Sequence, residues 1–186
     1  MDPETAQDFD DAISLERVES GWKLGVHIAD VSHYVRPGSP LWEEAAERAT
    51  SVYLPTRTIP MLPEKLSNGL CSLRENEPRL TLSVMMDLDD DGDLKDFTIA
   101  RSVIRSAHRL SYEQALAAMT DKPTPLPVPT VRLLQDAARL AALRTEIRRR
   151  RGARLRSWDL RRIGTRDGRS SAPPDVTGPC SVVRTP

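Results

Sequence analysis

The sequence predicts a mixed α+β fold, an α/β chain of antiparallel strands and hairpins packed by helices. Three observations carry this expectation. Apolar residues recur at even spacing in paired runs near the N-terminus, a second pair of runs brackets an acidic Asp-Gly turn, and a longer stretch further on has helical spacing. At 186 residues the chain is long enough to enclose one proper core.

Ala12 to Val18 and Trp22 to Val31 read as two strands joined by a short polar turn at Ser20 and Gly21. Trp22, Leu24, Val26 and Ile28 fall on one face of the second strand. Residues 36–40, Arg-Pro-Gly-Ser-Pro, form a turn. Ser39 is placed to cap a helix with Pro40 at its first position, and Leu41 to Ala49 follows as good helix formers. Tyr53 to Asn68 contains Pro55, Pro60 and Pro63 and is expected to be an ordered loop rather than a regular element. Leu80 to Leu88 and Leu94 to Ile104 form a second hairpin around Asp89 to Asp93. A helix is expected from Ser111 to Met119, a proline-rich linker over 121–129, and a long helix from Thr130 to about Arg151. In that helix Val131, Leu134, Ala138, Leu140, Ala141 and Ile147 lie near helical spacing.

After Arg151 the character changes. Residues 152–186 are rich in Arg, Pro, Gly and Ser, contain no lysine and show no sustained periodicity. That composition predicts disorder, with at most a short strand around Ser157 to Leu160. The formal net charge of zero hides an asymmetry: residues 147–186 hold eleven arginines against three aspartates, a balance of +8 set against −8 for residues 1–146. Such a basic end can mark a nucleic-acid tail. Cys71 and Cys180 offer neither a metal spacing nor a disulfide framework, which suits a reducing cytoplasm. No signal peptide and no apolar run long enough to cross a bilayer is present, so no membrane partner is expected.

The first eleven residues, Met-Asp-Pro-Glu-Thr-Ala-Gln-Asp-Phe-Asp-Asp, carry Asp2, Asp8, Asp10 and Asp11 directly ahead of the first strand. Carboxylates crowd together beside a core strand when a cation offsets their repulsion; a solvated acidic terminus is the alternative. In an extended segment Asp8 and Asp10 project to one side and Asp11 to the other, and a turn at Asp2-Pro3 can bring Asp2 back toward them. Hard oxygen ligands suit Mg²⁺ or Mn²⁺ rather than zinc. Two such cations about 4 Å apart can activate water and stabilise the leaving oxygen of a phosphodiester.

Other candidates are weaker. Asp87 to Gly92 matches the opening of a calcium loop, but Thr98 stands where a bidentate Glu is needed and the flanks read as strands, which favours a hairpin turn. His27, His33 and His108 lack partners at a metal-ligand spacing and read as structural. No Walker loop, dinucleotide fingerprint or serine-nucleophile elbow is present, and no small-molecule cofactor is expected. Tyr34, Tyr53 and Tyr112 are the only tyrosines; each can pack in a core, and one on an ordered loop can stack against a base.

Taken together, these segments resemble the catalytic domain of the ribonuclease II/R family, the RNB domain. The resemblance runs through the acidic signature Asp2 to Ala12, then His27-Ile-Ala-Asp-Val-Ser-His-Tyr-Val35, Thr50-Ser-Val-Tyr-Leu-Pro55, and Ile59 to Leu73. It covers residues 2 to about 153 in family order. It implies a Mg²⁺-dependent 3′-to-5′ exoribonuclease acting on single-stranded RNA and releasing nucleoside 5′-monophosphates. By the same resemblance Asp2, Asp8, Asp10 and Asp11 are the catalytic and metal-binding carboxylates, with Asp2 and Asp11 holding a cation directly. Tyr53 stacks on the 3′-terminal base, and Tyr112 approaches the RNA.

The departures from the family pattern carry further expectations. No RNA-binding domain precedes the acidic signature, and the matching region is about half of an RNB domain. The arginine-containing motif of the second half is missing. The expected organisation is therefore the N-terminal half of an RNB domain over 1–153, followed by a basic tail over 154–186 that fits out-of-frame sequence. A truncated, impaired exoribonuclease follows, or else an inactive fragment that at most binds metal or RNA. Strands without partners in such a half-domain would present open apolar edges.

Overall fold

The computed structural model describes residues 8–54, 57–152 and the backbone of 180–183. The N-terminal hairpin forms as its alternation requires. Strand β1 (Asp11–Val18) runs antiparallel to β2 (Gly21–Ala29), with Asp11 opposite Ile28 and Val18 opposite Gly21. The turn depends on glycine: Gly21 has φ of 136°, and a Cβ there would fall 2.0 Å from the Leu88 carbonyl oxygen.

The chain then leaves the sheet. It forms the single-turn helix α1 (Val31–Tyr34), helix α2 (Pro40–Arg48), a two-stranded ribbon of β3 (Val52–Tyr53) with β4 (Thr58–Ile59), and a π-helical turn over Lys65–Leu70. It returns as the hairpin β5 (Pro78–Leu88) and β6 (Leu94–Arg109), and β5 pairs antiparallel with β2 so that His27 faces Ser83. Helices α3 (Tyr112–Met119) and α4 (Val128–Arg150) follow. Strand β7 (Cys180–Val183) lies parallel to β1 and antiparallel to β6, closing a barrel in the order β1-β2-β5-β6-β7.

Side-chain alternation sets the inside of this barrel. Ala12, Ser14, His27, Ala29, Thr81, Ser83 and Ile104 are buried, while Ile28, Leu82, Ile99 and Val103 on the opposite face stay exposed. The interior is partly polar and hydrogen-bonded. His27 Nε2 meets Ser14 Oγ at 3.1 Å and His27 Nδ1 meets Ser83 Oγ at 2.7 Å; the chain continues to Ser102 and Thr81. Burial holds the His27 imidazole below its ordinary range, which favours the neutral ring that can both donate and accept in this chain. Its structural reading is supported.

Two apolar clusters cover the flanks. Leu140 of α4 packs on Trp22 and Leu88, with Leu15, Leu24 and Met86 around them. Ala115 and Ala118 of α3 pack with Leu110 and Leu134. The expected cap forms, Ser39 accepting from the Trp42 amide at 3.2 Å with Pro40 opening α2, and Ser111, expected as the first helical residue, instead caps α3 in a reciprocal capping box with Gln114. The Asp89–Asp93 segment is a hairpin turn: Asp89 accepts from the Asp93 amide at 2.8 Å and pairs with Lys95 at 2.7 Å, and Gly92 takes a φ of 84°.

Several boundaries differ from the sequence expectation. Strand β2 stops at Ala29 rather than Val31, because Asp30 accepts the His33 amide and caps α1. The stretch from Tyr53 to Asn68 holds the ribbon and most of a π-helical turn instead of loop alone, the turn ending where the Cys71 amide reaches the Leu66 carbonyl. Strand β6 continues past Ile104 to Arg109, and α4 starts at Val128 inside the expected linker. A strand occupies Cys180–Val183, where the composition suggested no regular element. Asp2, the proposed strand at Ser157 to Leu160 and the remaining tail residues other than 180–183 lie outside the described residues.

Candidate active site

The acidic segment is held to the barrel by its backbone. Phe9, 6% exposed, inserts between Asp8 and Asp10 into a core of Ala12, Ala29, Leu66, Cys71, Leu73 and Ile104. The guanidinium of Arg109 lies over its ring at 4.9 Å from the centroid. The Phe9 amide donates to Ser72 Oγ at 3.1 Å, and the Leu73 amide donates to the Phe9 carbonyl at 2.8 Å. One residue on, the Asp10 carbonyl accepts the Ala29 amide at 2.8 Å. The acidic segment, for which a solvated terminus is the alternative reading, is therefore tied to β2 and to the segment after the π-helical turn.

With Phe9 buried, its neighbours are turned toward the surface. Asp10 keeps exposed surface, yet surrounding atoms strip water from its carboxyl, and this first, with the charge of Asp8 second, pushes its proton affinity above the ordinary carboxylate range. Asp11 opens β1 half-buried, with one carboxylate oxygen closed off from solvent.

Tyr53, on β3, lies within electrostatic reach of Asp8 and Asp10. Its residue is 71% exposed, and its hydroxyl is pushed above the ordinary phenol range by local desolvation and then by the charges of Asp8 and Asp10, against a hydrogen bond with Ser51. The ribbon thus presents an exposed aromatic ring within electrostatic reach of two carboxylates. Asp30, 7% exposed, is a further neighbour that residue-type reasoning left inside a motif. It accepts from Ser32 Oγ at 2.5 Å and from the His33 amide at 3.2 Å, and Arg101 Nε approaches at 3.6 Å. The Ser32 hydrogen bond does most to hold its carboxyl below the usual range, with Arg101 adding to it. Buried Cys71 is pushed upward by desolvation and by the charges of Asp10 and Asp30, so it packs as a thiol.

The structure brings Asp8, Asp10 and Tyr53 into one electrostatic neighbourhood, with Asp11 following in the chain. Tyr112 is exposed at the start of α3, whose other face packs on α4. Ser72 and Asp30 carried no signal of their own in the sequence beyond membership of the quoted motifs. Among the described residues, no group of three or more His, Cys, Asp or Glu side chains converges on a single cation position. The donor chemistry still fits a hard divalent cation, since repulsion between Asp8 and Asp10 is what such an ion relieves. Among the described residues, no helix is long and apolar enough to cross a membrane.

Comparison with known proteins agrees with this architecture. The model of the RNB domain matches residues 1–165, past the point near 153 where the motif resemblance ends. Ribonuclease R of Thermotoga maritima is 49% identical over 157 residues, which is 83% of this chain and 22% of that protein. The apo form of Mycoplasma genitalium RNase R superposes with a TM-score of 0.76 at 35% identity, covering 81% of this chain and 24% of that one. The same enzyme in complex with ribose methylated single-stranded RNA gives a TM-score of 0.76 at 34% identity, with 81% and 24% coverage. The chain thus spans about a quarter or less of the length of these relatives. An acidic segment anchored through Phe9, an aromatic ribbon beside it and a family match over most of the sequence lead to one conclusion: this chain belongs to the RNB domain family.

Proposed function

We propose that this chain carries the carboxylate part of a 3′-to-5′ exoribonuclease centre that hydrolyses single-stranded RNA to nucleoside 5′-monophosphates with Mg²⁺, Mn²⁺ being able to replace it. The observation that carries the reading is the coupling of Asp8 and Asp10 beside the exposed ring of Tyr53. In this reading Asp2, Asp8, Asp10 and Asp11 supply the oxygen ligands, Asp2 and Asp11 binding a cation directly. Bound cations supply an activated water and stabilisation of the leaving oxygen. The protein's own part is positioning: Phe9 fixes the backbone between Asp8 and Asp10, and Tyr53 offers a stacking face for the 3′-terminal base. Tyr112 contributes a second RNA contact from the start of α3. Support for RNA as the ligand comes from the M. genitalium RNase R complex with single-stranded RNA.

A second reading, binding of metal or RNA without turnover, is favoured by one observation: among the described residues no three acidic or histidine side chains converge on a cation. The two readings part in one assay. The chain is incubated with 3′-labelled single-stranded RNA and Mg²⁺, with and without chelator. Chelator-sensitive release of mononucleotides, abolished by Asp10→Asn with RNA binding retained, is the expected result. Hydrolysis that persists in Asp10→Asn would remove the role assigned to that carboxylate, and binding without release would select the second reading.

A further inference from the structure

We infer that Ser72 is a positioning residue for the carboxylate pair, acting through the backbone of Phe9. The inference rests on the metal-binding reading above and deepens it. Three observations place Ser72 in this role. Its hydroxyl oxygen accepts the Phe9 amide at 3.1 Å across a sequence separation of 63 residues. The next residue, Leu73, donates its amide to the Phe9 carbonyl at 2.8 Å, so a single dipeptide holds both backbone polar groups of the residue between Asp8 and Asp10. Ser72 itself is fully buried, and its carbonyl accepts Arg79 Nε at 2.8 Å. The clamp is therefore anchored to β5.

The geometry gives the clamp a purpose beyond packing. In an extended segment the side chains on either side of one residue share a face, so the twist of the backbone at Phe9 decides whether Asp8 and Asp10 converge or splay. The Phe9 ring fixes where that residue sits; it does not fix rotation of the peptide preceding it. A hydrogen bond to the Phe9 amide does, because the Asp8–Phe9 peptide plane contains that N–H. The bond from the Ala29 amide to the Asp10 carbonyl fixes the far side. With the Leu73 bond, the two peptide planes between Asp8 and Asp10 and the one after Asp10 are all tied down. Serine suits the position because its oxygen accepts without adding volume at a site with no space.

Ser72→Ala and Ser72→Cys test this in the full chain. The cysteine variant fills the serine's volume with a poor acceptor, and so reports on the hydrogen bond if the alanine variant fails to fold. Two quantities are read: amide hydrogen exchange at Phe9 and Ala29, and Mn²⁺ affinity followed by electron paramagnetic resonance. The expected result is exchange at Phe9 faster by about tenfold, with Ala29 unchanged. Mn²⁺ affinity should be weaker by about tenfold in a chain that still melts cooperatively. Unaltered exchange at Phe9 overturns the clamp. Faster exchange with unaltered Mn²⁺ affinity makes Ser72 a packing residue only and overturns the positioning role. A wild-type chain that retains no Mn²⁺ overturns the metal reading and the inference with it, an outcome distinct from a wild type and variants that bind equally.

Discussion

Phe9→Ala is the substitution whose cost the structure lets one work out. The ring is 6% exposed, sits among Ala12, Ala29, Leu66, Cys71, Leu73 and Ile104, and carries the Arg109 guanidinium over its face. Removing a buried phenyl group costs about 3–5 kcal/mol, the transfer loss and the cavity together. The cation–π contact accounts for about 0.5–1 kcal/mol of this. With melting temperatures shifting by roughly 2–4 °C per kcal/mol at this chain length, the variant should melt about 6–20 °C lower. Domains of this kind are stable by about 5–15 kcal/mol, so a folded population should survive for measurement. The assay is urea and thermal unfolding followed by circular dichroism, with Phe9→Leu as the variant that refills most of the space and loses less. A loss below about 1 kcal/mol for the alanine variant, the level of an ordinary surface change, would refute the burial of Phe9 and with it the anchoring of the acidic segment. The comparison with Ser72→Ala is informative, because one variant removes the ring and keeps the backbone bond while the other does the reverse. Contacting residues seldom add, and a double-mutant cycle should show coupling of about 0.5 kcal/mol or more.

Two further outcomes follow from the same geometry. Tyr53→Ala should leave unfolding within about 0.5 kcal/mol of the parent, since the residue is 71% exposed, yet weaken RNA binding by about 1–3 kcal/mol if the ring stacks on a base; fluorescence anisotropy with a labelled single strand reads the difference. Asp10→Asn should raise the melting temperature at neutral pH. The folded carboxyl binds its proton more tightly than the unfolded one, so its ionisation opposes folding once the pH exceeds the folded value, and no penalty remains well below the ordinary value of 3.8. The gain should therefore shrink on acidification through the carboxylate range, and a gain that grew instead would reverse the sign assigned to Asp10.

What the sequence made legible was local. The β1–β2 and β5–β6 hairpins follow from alternation and from turns at Gly21 and Gly92; the cap at Ser39 follows from a hydroxyl placed before Pro40 and a helical run. The site's carboxylates could be singled out because acidic crowding is visible along the chain. Its support could not. The bond from Phe9 to Ser72 joins residues 63 apart, and no spacing rule connects them. Asp30 looked like a strand residue because Val31 continues the apolar run, and only its side-chain bond to the His33 amide turns the chain into α1. The π-helical turn escaped because its widened spacing matches neither a strand nor an α-helix. Cys180–Val183 has only Val182 and Val183 as β-branched residues, too short a run to stand out in an arginine- and proline-rich stretch.

The hydroxyl chain inside the barrel has a consequence for how accurately the site can be built. Aliphatic interiors tolerate a slipped pairing, since one greasy contact is exchanged for another of similar worth. Here a two-residue slip of β1 along β2 that set Ser14 opposite Lys23 instead of Gly25 would keep every side chain on its proper face, yet it would separate Ser14 from His27. It would also carry the Asp10 carbonyl away from the Ala29 amide. Each buried polar group left without its partner costs about 1–3 kcal/mol. The penalty grades alternative alignments by discrete steps, so the barrel acts as a ruler. The carboxylates at its rim inherit their positions from a count of hydroxyl groups along the strands.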